Sequence, residues 1–134
     1  MPSVLAVDDN QINLQLMVTF VRKTRHPYES ATDGILAVEA YKKSACDLGT
    51  GKVSNAATKR FKYILMDINM PNMDGTTATK EIRKFEKENK LEPPVKIFAL
   101  TGLGDLEQHW ATEAGFDRVL SKPIKFKELK ELLV

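Results

Sequence analysis

The chain has 134 residues, 20 of them basic and 18 acidic, so its net charge is +2 with both histidines neutral. This length suits one domain, and 43% hydrophobic with 28% charged residues predicts a folded chain. No run of consecutive apolar residues exceeds four, which argues against a membrane span or a signal-peptide core. The near-neutral charge gives no support for nucleic-acid binding through overall charge. The single cysteine, Cys46, cannot form an internal disulfide, and we expect a cytoplasmic location.

The first half of the sequence contains two strand-helix pairs. Residues 3–7 predict a buried strand, and Asn10 is a suitable N-cap for a helix over 11–23. Residues 27–31 predict a short second strand, and an Asp-Gly pair then opens a helix over 34–43. Strands that alternate with helices in this way are typical of a parallel sheet.

The second half continues the same alternation. The remaining predicted elements are, in chain order, a strand at 61–66, a helix capped by Asp74, a strand at 95–100, a helix at 105–114, a strand at 117–120 and a helix that begins near Phe126. Five strands and five helices in this order predict a doubly wound α/β domain with helices on both faces.

Residues 44–60 interrupt the alternation. They are small and polar, and we interpret them as a mobile insertion between the second helix and the third strand of a single domain spanning 1–134. The GTGK segment inside them is not a phosphate-binding loop, because the Walker spacing is absent and Val53 stands where Ser or Thr should follow the lysine.

Polar residues follow four of the predicted strands directly. They are three carboxylates, one hydroxyl and one ammonium: Asp8, Asp9, Asp67, Thr101 and Lys122. Any one of them alone would be an ordinary turn or cap residue. Because ligands of an open parallel sheet bind at the carboxyl ends of its strands, we expect all five to meet at one edge.

The charges of this group predict a metal site. Three carboxylates and one ammonium sum to −3 + 1 = −2, which a divalent cation would balance. Hard oxygen ligands favour Mg²⁺, or Mn²⁺, over zinc. Such an arrangement suits phosphoryl transfer, with Asp67 as nucleophile and with Lys122 and Thr101 holding phosphoryl oxygens.

Four ordered motifs then carry a family resemblance: VDDN at 7–10, LMDINMPNMDG at 65–75, ALTG at 99–102 and LSKP at 120–123. With them, the chain resembles the receiver domain of two-component response regulators over nearly its whole length. Its DDNQIN, AGFD and KPIKFKEL segments resemble most the receivers of hybrid histidine kinases, fungal ones in particular.

The resemblance implies a role for each site residue. Asp67 would be the phosphoacceptor, Thr101 the switch hydroxyl and Lys122 the lysine that pairs with the phosphoryl group. The implied Mg²⁺ ligands are Asp9 directly, Asp8 largely through water, Asp67, and the backbone carbonyl of Asn69.

The resemblance also implies a fold and points to one departure from the family pattern. The implied fold is flavodoxin-like, with sheet order 2-1-3-4-5, and the implied Lys122–Pro123 peptide bond is cis. Val119 stands where the family commonly has an aromatic residue that reports phosphorylation. We therefore expect Val119 to pack in place and any conformational change to be small or carried by loops.

The resulting functional hypothesis is a phosphorelay receiver. It would accept a phosphoryl group from phosphohistidine onto Asp67 with Mg²⁺, catalysing its own phosphorylation without turning over a metabolite. We expect this domain to be one part of a longer hybrid histidine kinase. Three alternatives stay open: a haloacid-dehalogenase-type Mg²⁺-dependent phosphohydrolase, a flavodoxin-like FMN carrier, and a degenerate receiver that only binds partners.

The first helix is the expected partner surface. It carries more apolar residues than one core-facing stripe requires, and we expect Leu14, Met17 and Val21 to be exposed beside the acidic site. The resemblance implies that a histidine kinase or histidine-phosphotransfer protein docks there, near Ile12, Leu14 and Met17. Burial of both flanks of the helix is the equally weighted alternative.

Overall fold

Five parallel strands form one sheet in the order β2-β1-β3-β4-β5. The computed structural model describes residues 3–46, 52–53, 60–68, 70, 72–102 and 109–133. Its elements are, in chain order, β1 Val4–Val7, α1 Gln11–Lys23, β2 Tyr28–Ala31, α2 Gly34–Ser44, β3 Tyr63–Asp67, α3 Gly75–Glu88, β4 Lys96–Thr101, α4 His109–Ala114, β5 Arg118–Ser121 and α5 Phe126–Leu132. The predicted fold class and strand order are confirmed. Residues 105–108 of the fourth predicted helix lie outside the described residues.

Helices cover both faces of the sheet because its strands alternate their side chains between two cores. Leu5, Ile64 and Ile97 face a core completed by α2, α3 and α4. Val4, Leu65 and Phe98 face a second core completed by α1 and α5. The carboxyl end of every strand therefore stays open between two helical layers. None of the described helices is long and apolar enough to cross a membrane.

The side chains that α1 turns toward the sheet correct one expectation. Leu14, Met17 and Val21 are buried, with 7%, 2% and 0% exposure, and they pack in the second core. They lie at positions i, i+3 and i+7, so they form the single stripe that a sheet-packed helix needs. The expectation that these three residues are exposed is wrong. The exposed apolar residues of α1 are Ile12 and Leu16 instead.

The predicted insertion at 44–60 is ordered at both ends. Ser44 is the last residue of α2, and Cys46 forms an isolated antiparallel bridge with Val53. Arg60, at the other end of the segment, is only 3% exposed. Residues 47–51 and 54–59 lie outside the described residues, and the mobility of that part stays a prediction.

Candidate functional site

The sheet order brings the predicted site residues to one edge. Asp8 directly follows β1, Asp67 ends β3, Thr101 ends β4 and Lys122 directly follows β5. Because β1, β3, β4 and β5 are neighbours in the sheet, their carboxyl ends lie side by side. The structure therefore places these four residues at one edge of the sheet, and their role as a site stays a prediction.

Three carboxylates form the acidic part of the site. Asp8 is fully buried and Asp67 is 2% exposed, whereas Asp9 is exposed. Each offers an oxygen that lies within 4.8 Å of an oxygen of both others. The backbone N–H of Asn10 donates to Asp8 Oδ1 at 2.9 Å, but the buried Asp8 Oδ2 has no hydrogen-bond partner. A buried carboxylate oxygen without a hydrogen bond is costly unless a cation lies near it, and Lys122 Nζ, at 3.3 Å, meets this need in part.

Lys122 supplies the positive charge of the site. Its Nζ donates to Asp67 Oδ1 at 2.6 Å and lies 3.3 Å from Asp8 Oδ2. Its backbone N–H donates to the carbonyl of Thr101 at 2.8 Å, which ties β5 to β4 at this point. The Lys122–Pro123 peptide bond that follows is cis, as the resemblance implied.

Burial and charge shift the pKa of both partners in this pair. Burial, the largest cause, and the charge of Asp8 together raise the pKa of Asp67 to about 6, against the opposing effect of its hydrogen bond with Lys122. Burial acts to lower the pKa of Lys122, but its contacts with Asp67 and Asp8 outweigh burial and raise it. One ammonium therefore does not satisfy the site, which retains a demand for positive charge.

Thr101 and Asn69 are the two remaining expected site residues, and the structure describes only the first. Thr101 is 2% exposed at the end of β4, one residue beyond Leu100, which pairs in register with Asp67. Asn69, the expected donor of a backbone carbonyl, lies outside the described residues. Val119 is partly buried and packs against the core beneath α2, α3 and α4, in agreement with the expectation that it packs in place.

Gly75 is a site residue that the sequence analysis did not single out. Its backbone N–H donates to the carbonyl of Ile68 at 2.9 Å, and a Cβ added there would lie 2.1 Å from the carbonyl oxygen of Asp67. Only glycine fits this approach of α3 to the end of β3. A glycine at the first helical position after the N-cap Asp74, where alanine is the better helix former, was the available signal.

The family follows from this fold and site together with sequence comparison. Residues 4–134 match the family described as response regulator receiver domain. The chain belongs to this receiver domain family. Its membership sets aside the phosphohydrolase and FMN-carrier alternatives.

Particular relatives and structures agree with that assignment. The chain is 36% identical over 97% of its length to hybrid signal transduction histidine kinase M of Dictyostelium discoideum, of which it covers 5%. Among solved structures, it resembles the receiver domain of histidine kinase CKI1 from Arabidopsis thaliana complexed with Mg²⁺, with 29% identity, a TM-score of 0.81 and coverage of 98% of this chain and 89% of that one.

A second solved neighbour is the Saccharomyces cerevisiae complex of the histidine phosphotransfer protein Ypd1 with the receiver domain of its response regulator Ssk1. The identity is 30% and the TM-score 0.79, over 98% of this chain and 85% of that one. The chain spans 3% to 26% of the length of the curated relatives compared.

Proposed function

We propose that the chain accepts a phosphoryl group onto Asp67 in a Mg²⁺-dependent reaction and so acts as a relay in a two-component pathway. The observation that carries this proposal is the Asp67 carboxylate, which lies 2.6 Å from Lys122 Nζ and beside two further carboxylates at the open edge of the sheet. Buried acids that lack a catalytic or metal-binding role rarely cluster in this way.

The donor set fits a hard divalent cation. Asp8, Asp9 and Asp67 offer carboxylate oxygens, and Asp8 Oδ2, which has no hydrogen bond and lies 3.3 Å from Lys122 Nζ, can serve as a ligand or as an acceptor from a metal-bound water. On the family resemblance, the carbonyl of Asn69 completes the set. A related receiver, that of CKI1, is complexed with Mg²⁺. Bound Mg²⁺ would supply charge neutralisation for the incoming phosphoryl oxygens, and Mn²⁺ has similar ligand preferences.

The residues of the chain provide the rest of the chemistry. Lys122 holds Asp67 Oδ1, which leaves Oδ2 of Asp67 as the attacking oxygen. This oxygen bonds to phosphorus as the bond between phosphorus and the donor's histidine nitrogen breaks, and the nitrogen keeps the electron pair. The Lys122 ammonium and the Thr101 hydroxyl then pair with phosphoryl oxygens. Raising the Asp67 pKa makes this carboxylate a stronger base and nucleophile than an exposed one.

The direct test is phosphorylation by a small donor. We expect acetyl phosphate with Mg²⁺ to add the mass of one phosphoryl group to the wild-type chain and none to Asp67→Asn. Asp33→Asn is the matched control, because it makes the same change at the N-cap of α2 and keeps the cap. A chain that takes up no phosphoryl group, or an Asp67→Asn variant that still does, would contradict the assignment and favour a degenerate receiver.

We further propose that a histidine kinase or a histidine-phosphotransfer protein docks beside the site on α1. Ile12 is 80% exposed and Leu16 36% exposed, and both lie on the first two turns of α1, directly after Asp8 and Asp9. Exposed apolar side chains next to a reactive centre suit a partner surface. The Ypd1–Ssk1 complex shows a phosphotransfer protein bound to a related receiver.

The docking proposal separates protein donors from small donors. We expect Ile12→Glu with Leu16→Glu to slow phosphoryl transfer from a phosphohistidine protein by about tenfold or more and to leave the rate with acetyl phosphate unchanged. Thr19→Glu, on the exposed side of the same helix two turns beyond Ile12, should slow neither reaction. Equal slowing with both donors would show that α1 supports the site rather than the partner.

The larger protein is proposed from its relatives. Several are hybrid histidine kinases, in which a receiver makes up a small part of a long chain. We propose the same setting for this receiver, in the cytoplasm.

A further inference from the structure

A groove crosses the amino ends of three strands, at the opposite edge of the sheet from Asp67. Tyr63, Lys96 and Arg118 are the first residues of β3, β4 and β5. Tyr63 pairs in register with Lys96, and Phe98 pairs with Arg118. Side chains two apart on a strand share a face, so all four lie on the α1/α5 side of the sheet. We call this depression, with Arg60 and Lys62 at its β3 end, the basic groove.

Two aromatic rings form the floor of the basic groove. Tyr63 and Phe98 are stacked, with ring centroids 6.1 Å apart and planes inclined by 23°. Phe98 is buried, whereas Tyr63 keeps part of its ring accessible. An apolar, partly exposed floor between charged walls is the usual composition of a protein-binding surface, in which aromatic residues anchor the partner.

The walls of the groove are positively charged, and the part of the chain that the structure describes offers them no ion-pair partner. Lys62, Lys96 and Arg118 are exposed, and none of them forms an ion pair with a carboxylate in the described part of the chain. Lys96 and Arg118 lie diagonally across neighbouring strands, where like charges repel each other. Among the described residues, these cations thus lie together without an ion-pair partner.

Arg60 adds a buried positive charge whose direct hydrogen-bond acceptors are all neutral. It is 3% exposed and donates to the Tyr41 hydroxyl at 3.0 Å and to the carbonyls of Pro93 and Glu92 at 3.1 and 3.0 Å, all neutral acceptors. Its Nε has no hydrogen-bond partner. The carboxylate of this network is Glu86, which accepts from the same Tyr41 hydroxyl at 2.7 Å, so Arg60 is neutralised only indirectly and adds positive potential at the β3 end of the groove.

The one acid that lines the groove among the described residues is already engaged. Asp117 Oδ2 accepts from Arg83 at 2.9 Å and from the backbone N–H of Ile97 at 2.8 Å. It therefore cannot serve as a full counter-charge for the lysines and arginines of the groove. Three exposed cations, Lys62, Lys96 and Arg118, therefore surround the aromatic floor, and the described residues supply no free carboxylate to neutralise them.

We propose that the basic groove binds a short, extended, acidic segment of a partner protein, with carboxylates on either side of an aromatic residue. Three strands span about 10 Å, the length of roughly three extended residues. Carboxylates match arginine in paired hydrogen bonds. Nucleic acid is the less favoured ligand, because tight nucleic-acid binders neutralise about 6–10 phosphates and this groove offers four cations. The inference does not depend on the proposed phosphorylation of Asp67.

The test uses a fluorescein-labelled Glu-Glu-Tyr-Glu-Glu peptide and fluorescence anisotropy with the full chain. We expect binding that weakens with added salt and weakens about tenfold or more, roughly 1.4 kcal/mol, in Lys96→Glu with Arg118→Glu. Lys80→Glu with Lys84→Glu makes the same change of net charge on exposed residues of α3, across the sheet, and should bind like wild type. The milder Lys96→Gln with Arg118→Gln should fall between these results, which keeps the test sound if charge reversal disturbs the fold.

Three results would overturn the proposal. The first is no peptide binding by the wild-type chain. The second is equal weakening in the groove variant and in the α3 control, which would mean attraction by overall charge. The third is tighter binding of a short deoxythymidine oligonucleotide than of the peptide through the same residues, which would make the groove a nucleic-acid site.

Discussion

Asp67 is a buried carboxyl group, and its contact with Lys122 offsets only part of the cost of ionising it. The ammonium lies 2.6 Å from Asp67 Oδ1, yet burial and the nearby Asp8 raise the pKa of Asp67 from its ordinary 3.8 to about 6. The ionised site is thus strained electrostatically until a cation or phosphoryl group changes its charge balance. Because the pKa of Asp67 is raised in the folded state, the stability of the fold should depend on pH through this residue.

Replacing Asp67 by asparagine should stabilise the metal-free fold at neutral pH. Between about pH 4 and pH 6 the folded state holds a proton on Asp67 that the unfolded state has lost, so ionisation of Asp67 lowers the free energy of unfolding as the pH rises. We expect Asp67→Asn to melt a few degrees above wild type at about pH 7, and the difference to shrink toward about pH 4. Thermal unfolding in a chelator, measured across this range, checks it.

The control for this stability experiment is Asp33→Asn, whose melting temperature should follow wild type at every pH. A variant Asp67→Asn that is less stable than wild type at neutral pH would contradict the raised pKa. So would a difference that does not change with pH.

Bound Mg²⁺ should raise the free energy of unfolding, because it would neutralise the ionised carboxylates of the site. Binding to the folded chain alone raises the free energy of unfolding by about 1.4 kcal/mol at a metal concentration of ten times Kd. We expect Mg²⁺ to raise the melting temperature of wild type and to have little effect on Asp9→Asn, because Asp9 is one of the three carboxylates of the site. Asp74→Asn, at an exposed helix cap, should respond like wild type. A full Mg²⁺ response in Asp9→Asn would place the metal elsewhere.

At the scale of elements, the join between β3 and α3 sets the shape of the site. α3 begins at Gly75, whose Cα lies so close to β3 that an added Cβ would meet the carbonyl oxygen of Asp67 and, at 2.9 Å, Met66 Cγ. Neither the strand backbone nor the buried Met66 can move aside cheaply. The start of α3 and the end of β3 at Asp67 are therefore positioned by the same contact.

Gly75→Ala should accordingly destabilise the chain by about 1–3 kcal/mol despite the better helix propensity of alanine. Gly102→Ala is the matched control, since a Cβ there meets nothing within 4 Å. Urea unfolding of both variants measures the difference. Equal stability of the two would mean that the α3 start can shift freely away from β3.

A buried polar network joins α2, α3 and the segment before β3. The Tyr41 hydroxyl donates to Glu86 Oε2 at 2.7 Å and accepts from Arg60, and the same Glu86 oxygen accepts from the backbone N–H of Val95. Removing one partner leaves buried charged groups less satisfied. The network thus connects the end of the 44–60 segment to the helices beside it.

Tyr41→Phe should lower the free energy of unfolding by about 1–3 kcal/mol, because it leaves Glu86 and Arg60 each without one hydrogen bond. Tyr28→Phe removes a hydroxyl from a partly exposed tyrosine of β2 and should cost much less. Denaturant unfolding compares them. A Tyr41→Phe variant as stable as wild type would mean that water or another side chain replaces the lost hydroxyl.

Local patterns predicted some elements better than others. Strand ends and helix caps are encoded by neighbouring residues, so the sequence alone indicates helix starts at Asn10, Asp33 and Asp74. The buried stripe of α1 was not, because its surplus of apolar residues allowed more than one face to point inward. The Tyr41–Glu86 bond joins residues 45 positions apart, and no local pattern encodes such a pair.

At the scale of the whole molecule, the net charge of +2 conceals two opposite ends. The carboxyl edge of the sheet gathers Asp8, Asp9 and Asp67, and the amino edge carries the basic groove. The acidic site could be predicted because each acid directly follows a strand. The groove could not, because Lys96 and Arg118 lie at the starts of separate strands, and only the register shows that they share a face.

The proposed relay function requires Asp67 to be the residue that carries the phosphoryl group. Acyl phosphates of aspartate can be reduced by borohydride, which converts the modified aspartate into homoserine. After phosphorylation with acetyl phosphate and Mg²⁺, reduction and peptide mapping should find homoserine at position 67 and nowhere else. Homoserine at another aspartate, with Asp67 unchanged in a phosphorylated chain, would contradict the account.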